Sequence, residues 1–293
     1  MPKTVSAPRA RLTATRTRSS KPITRWAVLA GVAGLAVIAL GFGLLASSGG
    51  RSARSTAVSV AAISPRSMTT VITLDGQGVP VRELELFLAQ DRSAAFAYYQ
   101  RRYGDSDHPG FWITAYGGET PAGYLKKLAV SDAVRATVQF NLAHKYGLIP
   151  DPGYAAFLSS LAAENAGRAQ ALRQHQPIYG PEQYTETTYF TYVLSQACIS
   201  LQTTLVGHGV ISVTGSALQQ YYNAHRDDYQ QTSGTDAGVT GPQPQPSIAP
   251  FAQVKDEVTQ NYEASSYNAL ITRLAGSAPV RVNAGVLAAI QIS

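Results

Sequence analysis

The chain of 293 residues is long enough for one or two domains with a buried core. Its formal charge of +6 is unevenly distributed, because residues 1–25 contain seven Lys and Arg and no acidic residue. The rest of the chain has a net charge of −1, so the composition excludes a basic nucleic-acid-binding domain. We therefore predict a basic cytoplasmic tail over residues 1–25 and no nucleic-acid partner.

The next segment, residues 26–46, has the composition of a transmembrane helix. It contains no charged residue and no proline, and as a helix it would span the hydrocarbon core of about 30 Å. The cations before it place the amino terminus in the cytoplasm and the remainder outside the membrane. A signal peptide cleaved near Ala46 is the alternative, although this apolar stretch exceeds the usual 7 to roughly 15 residues. We predict a single-pass cell-membrane protein, with secretion after cleavage as the alternative.

The folded domain is predicted to begin near Thr70. Residues 47–69 are small and polar and indicate a flexible tether. Residues 71–74 are apolar and β-branched and end at an Asp-Gly pair, which predicts a short strand followed by a turn over residues 75–78. Apolar residues at helical spacing then predict a helix from Arg82 to about residue 103.

Four further helices are predicted before residue 230. Their starts are marked by Thr-Pro, Asp-Pro or Thr-Gly pairs, or follow the break at Gly180-Pro181, because a hydroxyl or carboxylate caps the first turn and proline fits its first position. The helix after Asp151 should be exposed in its second half, since its apolar residues lie only in the first turns. The predicted helices run from Pro121 to Tyr146, Pro152 to Gln174, Tyr184 to Leu205 and Gly215 to Tyr229.

The carboxy-terminal part begins with residues 230–250, which alternate Pro, Gln and Gly and predict an extended linker. An amphipathic helix should follow from Phe251 to about Leu274. A last strand over residues 280–282 is expected to pair with the first strand near Val71. The predicted domain thus comprises residues 70–229 together with the segment 251–293.

The sequence contains no recognisable catalytic or metal-binding motif. The five histidines are scattered without paired-ligand spacing, and the chain has no phosphate-binding loop and no GxSxG elbow. Cys198 is the only cysteine, so no internal disulfide can form, and its apolar neighbours indicate a small buried hydrophobe. We therefore predict no catalytic residue, no metal and no cofactor.

Aromatic residues are concentrated at the end of the first helix and in the loop after it. Tyrosine combines a broad apolar face with a polar tip and loses little conformational entropy, which suits a surface that binds varied extended chains. We predict that these residues bind client polypeptides in an exposed groove, and the alternative is that they pack helix ends and loop. The seven candidates are Tyr98, Tyr99, Tyr103, Phe111, Trp112, Tyr116 and Tyr124.

The order of these segments resembles the SurA-like and PrsA-like extracytoplasmic foldases. The resemblance lies in VITLDGQGVPVRELELFL, FWITAYGGETPAGYLKKLAVSDAVRATVQFNLAHKYGLI, ISVTGSALQQYYNAHRDDY and FAQVKDEVTQNYEASSYNALITRLAGSAPVRVN. In that family, amino-terminal helices and one carboxy-terminal helix form a chaperone module, and a parvulin prolyl isomerase domain is inserted between them. The resemblance therefore implies a mainly α fold, a helical SurA-N-like chaperone domain with a small two-stranded β element, preceded here by one transmembrane helix.

The sequence departs from this family where the isomerase should be. A parvulin domain needs roughly 90 to 100 residues, within the common size of a domain, whereas only the linker of residues 230–250 lies at that position. No family catalytic residue can therefore be carried over. The predicted function is a membrane-anchored chaperone for unfolded or partly folded secreted polypeptides, without prolyl isomerase activity. The alternatives are a family member with residual isomerase activity and a structural adaptor in an envelope complex.

Overall fold

A computed structural model describes residues 68–231 and 247–292 of the chain. This part is mainly helical, as predicted. Its helices are α1 (Val81–Tyr103), α2 (Pro121–Lys145), α3 (Tyr154–Arg173), α4 (Glu186–Gly207), α5 (Gly215–Ala224), α6 (Phe251–Ser277) and α7 (Ala284–Ala289). Its strands are β1 (Thr70–Leu74), β2 (Gln77–Pro80), β3 (Gln230–Gln231), β4 (Ser247–Ile248) and β5 (Val280–Val282).

The first strand lies at the centre of an antiparallel sheet with the order β2-β1-β5. The predicted pairing of the last strand with the first is present, with Ile72 opposite Val282. The sheet has three strands rather than two, because Asp75 and Gly76 both have positive φ and form a tight turn. The residues after this turn pair directly back onto β1 as β2, where a longer turn was expected.

Helices α1 and α2 pack against each other and supply half of the buried residues of the main core. The buried side chains of α1 include Leu84, Phe87 and Leu88, whose spacing of three and four residues places them on one face. Helix α2 begins as predicted, because Thr120 Oγ1 accepts a hydrogen bond of 3.1 Å from Gly123 N and proline occupies the first position.

Helix α6 contributes buried residues to two hydrophobic cores. In the main core, Gln139 Nε2 on α2 donates a hydrogen bond of 3.0 Å to the hydroxyl of Tyr267 on α6. The amino-terminal half of α6 buries Val254 and Val258 in a second core with residues of α5 and the segment after it. The carboxy-terminal helix therefore packs onto the helices that follow Thr70, although the second core was not predicted.

The prediction of a linker outside the folded domain over residues 230–250 is wrong at both ends of that range. Strands β3 and β4 pair with each other, and Ala249 is buried in the second core. The hydroxyl of Tyr222 donates a hydrogen bond of 2.7 Å to Ala249 O, which fixes the chain as it enters α6. Polar composition did not reveal this order, because it comes from backbone pairing and one small apolar residue.

Helices α3 and α4, with the loop between them, form a helical arm (residues 154–207). Tyr154 is the only buried residue of α3, so the predicted exposure of its second half is confirmed. No helix in the described part of the chain is long and apolar enough to cross a bilayer. The predicted tail, the predicted transmembrane helix over residues 26–46 and nearly all of the predicted tether lie outside the described residues.

Candidate functional site

The seven predicted aromatic residues come together at one end of the α1–α2 pair, which we call the aromatic end. Three segments supply them: the last turns of α1, a 3-10 turn over Phe111–Ile113 with the loop after it, and the first turn of α2. The ring of Tyr98 stacks on that of Tyr124 with their centroids 4.3 Å apart. Tyr99 contacts both Phe111 and Tyr116 edge to face, at 5.8 and 5.2 Å.

The seven rings differ in how much of each is exposed. Tyr99, Phe111 and Trp112 belong to the main core. These three rings therefore pack helix ends and loop, which was the alternative prediction. Phe96 on α1 stacks on Phe111 at 5.1 Å and encloses it further. The remaining four reach the surface: Tyr98, Tyr116 and Tyr124 are half-buried, and Tyr103 is 40% exposed.

The loop that carries these rings is fixed by a small polar network. The hydroxyl of Tyr116 donates to the carboxylate of Asp105, and His108 Nε2 lies 3.2 Å from Asp105 Oδ2. Hydrogen bonding to this carboxylate raises the pKa of Tyr116 to about 12, and the same bond lowers the pKa of Asp105. Tyr116 is therefore a neutral donor at physiological pH, and its hydrogen bond to Asp105 helps to hold the loop.

Gly117 allows the loop to pass close to α1. Its φ of 60° lies in the left-handed region, and a Cβ at this position would meet the hydroxyl of Tyr103 at 2.9 Å. Tyr103 therefore lies against the backbone of the loop, with its ring 5.4 Å from that of Tyr116.

An open groove of about 590 Å³ lies beside the aromatic end. The guanidinium of Arg92 lies over the Trp112 ring at 4.6 Å, so the tryptophan forms an apolar wall that carries a cation. Ile113 lines the same groove and is 78% exposed, so its side chain is available for contact. The lining residues are Arg92, Asp107, His108, Pro109, Gly110, Trp112, Ile113 and Ile292.

Sequence reasoning found Trp112 but missed Ile113 and Ile292. A single isoleucine after two aromatic residues carries no signal of exposure, and Ile292 reaches the groove only because the end of the chain packs back onto the main core.

The buried acidic groups lie on α1. Glu83, at the opposite end of α1 from Tyr103, is 6% exposed, and burial raises its pKa to about 8. Asp91 is also buried, and burial together with the nearby Asp132 raises its pKa to about 6. In the described residues, no group of three or more His, Cys, Asp and Glu side chains could hold a metal ion.

Comparisons with protein-family models, with curated proteins and with solved structures found no match for this chain. A functional assignment therefore depends on the described geometry and on the resemblance of the chain's own segments to a known family. The geometry identifies a closely packed aromatic end, an open groove and an exposed isoleucine as the features that such an assignment must explain.

Proposed function

We propose that the protein is an extracytoplasmic chaperone that holds unfolded or partly folded secreted polypeptides. It would be of the SurA/PrsA type, lack the parvulin domain and have no prolyl isomerase activity. The segment 26–46 would tether it to the membrane. The observation that carries this proposal is Ile113, an exposed apolar side chain beside an open groove with an aromatic wall.

The aromatic end supports the proposal because it is preorganised. Phe111 contacts Phe96, Tyr99 and Trp112 through rings 5.1 to 5.8 Å apart, so the 3-10 turn that carries Ile113 is anchored in the main core. Binding to a rigid surface costs less conformational entropy than binding to a mobile one. A client would therefore bind by the apolar contacts it makes, without first ordering the site.

The open shape of the groove favours weak and broadly specific binding. The exposed side chain of Ile113 can contact many apolar client residues, whereas Asp107 and His108 place polar groups beside it. Each such contact would contribute about 1 kcal/mol or less at an exposed site. Tethering at the membrane would raise the effective concentration near emerging chains and compensate for this weakness.

The path of the chain also supports the proposal. In the foldases that this chain resembles, amino-terminal helices and one carboxy-terminal helix form one module. Here α6 packs on α2, and β5 pairs with β1. The ladder between Gln231 and Ser247 brings the two ends of the short linker together. A segment of this length is too short for a parvulin domain, which is why we propose a chaperone without isomerase activity.

The test is suppression of aggregation by the full chain in lipid nanodiscs, with a chemically unfolded secreted protein as client. Wild type should suppress aggregation, and Ile113→Asp should need roughly fivefold more protein for half suppression, a difference of about 1 kcal/mol. Leu172→Asp is the matched control, because Leu172 is an exposed apolar residue of the arm and should be neutral.

Two results would contradict the proposal. The first is wild-type protein without effect at molar excess. The second is acceleration of a proline-limited refolding reaction well above a peptide control, which would support the isomerase alternative. Pull-down from membranes that recovers one protein rather than many would instead support the adaptor alternative.

A further inference from the structure

The last described residues of the chain enter the groove beside the aromatic end. Helix α7 ends at Ala289, and the backbone of Ile290 after it is extended. Ile290 is buried in the main core, Gln291 is exposed, and Ile292 is half-buried and lines the groove. Side chains of an extended chain alternate between two faces, so both isoleucines face the protein and the glutamine faces solvent. We call residues 290–292 the tail segment.

The tail segment is anchored only as far as Ile290. Before it, Lys126 Nζ on α2 donates a hydrogen bond of 3.3 Å to Ala288 O and holds the end of α7. Beyond Ile290, neither Gln291 nor Ile292 makes a hydrogen bond within the described part of the chain. Ile292 is therefore held in the groove by apolar contacts alone, which a competing apolar side chain can replace.

The tail segment fills only part of the groove. Ile113 lines the groove and is 78% exposed, so Ile292 does not cover it. Trp112 lines the groove as well, but it is buried and offers little surface. An incoming polypeptide would therefore contact Ile113 first and then compete with Ile292 for the rest of the groove.

We infer that the tail segment is an internal competitor of clients, and that the groove binds extended segments with apolar side chains at alternate positions. The inference rests on the proposed chaperone function and adds to it the form of the client segment and a means of regulation. Only molecules whose groove is open can bind, so the apparent affinity is reduced by the open fraction. A groove filled by Ile292 about nine-tenths of the time would bind clients about tenfold more weakly than an empty one.

The test is binding of a labelled peptide to the full chain in lipid nanodiscs, measured by fluorescence anisotropy. The peptide is VLAAIQIS, the sequence of residues 286–293, so it contains the tail segment itself. Ile292→Ser weakens the internal competitor and should bind the peptide roughly three- to fivefold more tightly than wild type. Gln291→Ser is the matched control, because Gln291 is exposed, and it should bind like wild type. Ile113→Asp should bind more weakly than wild type.

Two results would overturn the inference. The first is equal affinity of wild type and Ile292→Ser for the peptide, because the groove would then bind without competition. The second is the absence of peptide binding, or equal binding of a peptide with serine in place of both isoleucines, because alternate apolar side chains would then not be recognised.

The aggregation assay separates this inference from the proposed function. Ile292→Ser should need roughly threefold less protein than wild type for half suppression. Equal suppression by the two proteins would overturn the competition and leave the chaperone function intact. Peptide binding as expected, without suppression of aggregation by either protein, would support competition at the groove and contradict the chaperone function.

Discussion

The aromatic end and the helical arm are both rich in tyrosine, yet their rings occupy different environments. At the aromatic end, Tyr99 is enclosed by α1, α2 and the loop between them and belongs to the main core. On the arm, Tyr154 and Tyr189 are also buried, whereas Tyr184 and Tyr192 stack at 5.8 Å nearer the surface. The comparison teaches that the position of a ring in the tertiary structure decides its burial, because local composition is similar in the two regions.

The two regions are also held together by different forces. The loop of the arm is fixed mainly by hydrogen bonds: Asn165 Oδ1 accepts from Tyr184 N at 2.8 Å and its Nδ2 donates to Tyr184 O at 2.9 Å. Arg168 donates to the carbonyl oxygens of Tyr179 and Pro181, and its guanidinium lies 4.5 Å from the Tyr184 ring. Burial stabilises the aromatic end, whereas polar contacts fix the loop of the arm.

The largest expected effect tests burial at the aromatic end. Phe111→Ala removes a fully buried ring and leaves a cavity among rigid neighbours, so the free energy of unfolding should fall by about 3–5 kcal/mol. Leu172→Ala, in the exposed part of the arm, should change it by less than about 0.5 kcal/mol. Urea denaturation measures both values, and similar losses for the two variants would remove the distinction between the regions.

Much of the fold was predictable because its signals are local. Thr120-Pro121 starts α2 and Thr214 starts α5, each by a side-chain hydrogen bond within four residues. The Asp-Gly pair after Leu74 marks the tight turn between β1 and β2. These helix starts and this turn depend only on neighbouring residues, so they can be predicted from a single sequence.

The candidate site was less predictable, because burial depends on segments far apart in the chain. The seven aromatic residues were correctly grouped, but their pattern could not show that Phe111 is enclosed while Ile113, two positions on, is exposed. The ordered ends of the linker were missed for the same reason, since Ala249 is buried only when α5 and α6 meet. The prediction that the remaining surface rings bind clients still awaits the aggregation assay.

The next effect concerns the junction where α1 meets the arm. Arg82 Nε donates to Glu186 at 3.0 Å, while the adjacent Glu83 is buried without an ion pair among the described residues. Because the folded protein holds the pKa of Glu83 near 8, above its unfolded value of about 4.3, the folded state binds an extra proton between these values. The stability contributed by neutral Glu83 is therefore present at low pH and is lost as the pH rises towards 8.

Glu83→Gln should remove this pH dependence. The variant should be more stable than wild type at pH 8.5 by about 1–3 kcal/mol and nearly equal to it at pH 4.5. Urea midpoints at the two pH values measure the difference, and the exposed neighbour Glu85→Gln serves as control. A constant difference between wild type and Glu83→Gln across this range would show that Glu83 is charged in the folded protein.

The smallest effect tests whether hydrogen bonds specify the arm. Asn165→Ala removes both bonds to Tyr184, so the loop over residues 177–184 should open more often while the main core is unaffected. Hydrogen exchange of the loop amides should quicken roughly fivefold or more, whereas the global free energy of unfolding should change by less than about 1 kcal/mol. Gln170→Ala, exposed on the same helix, should leave loop exchange unchanged. A large fall in the global free energy of unfolding of Asn165→Ala would mean that the arm and the main core unfold as one cooperative unit. Only in that case would the loss of two surface hydrogen bonds destabilise the whole domain.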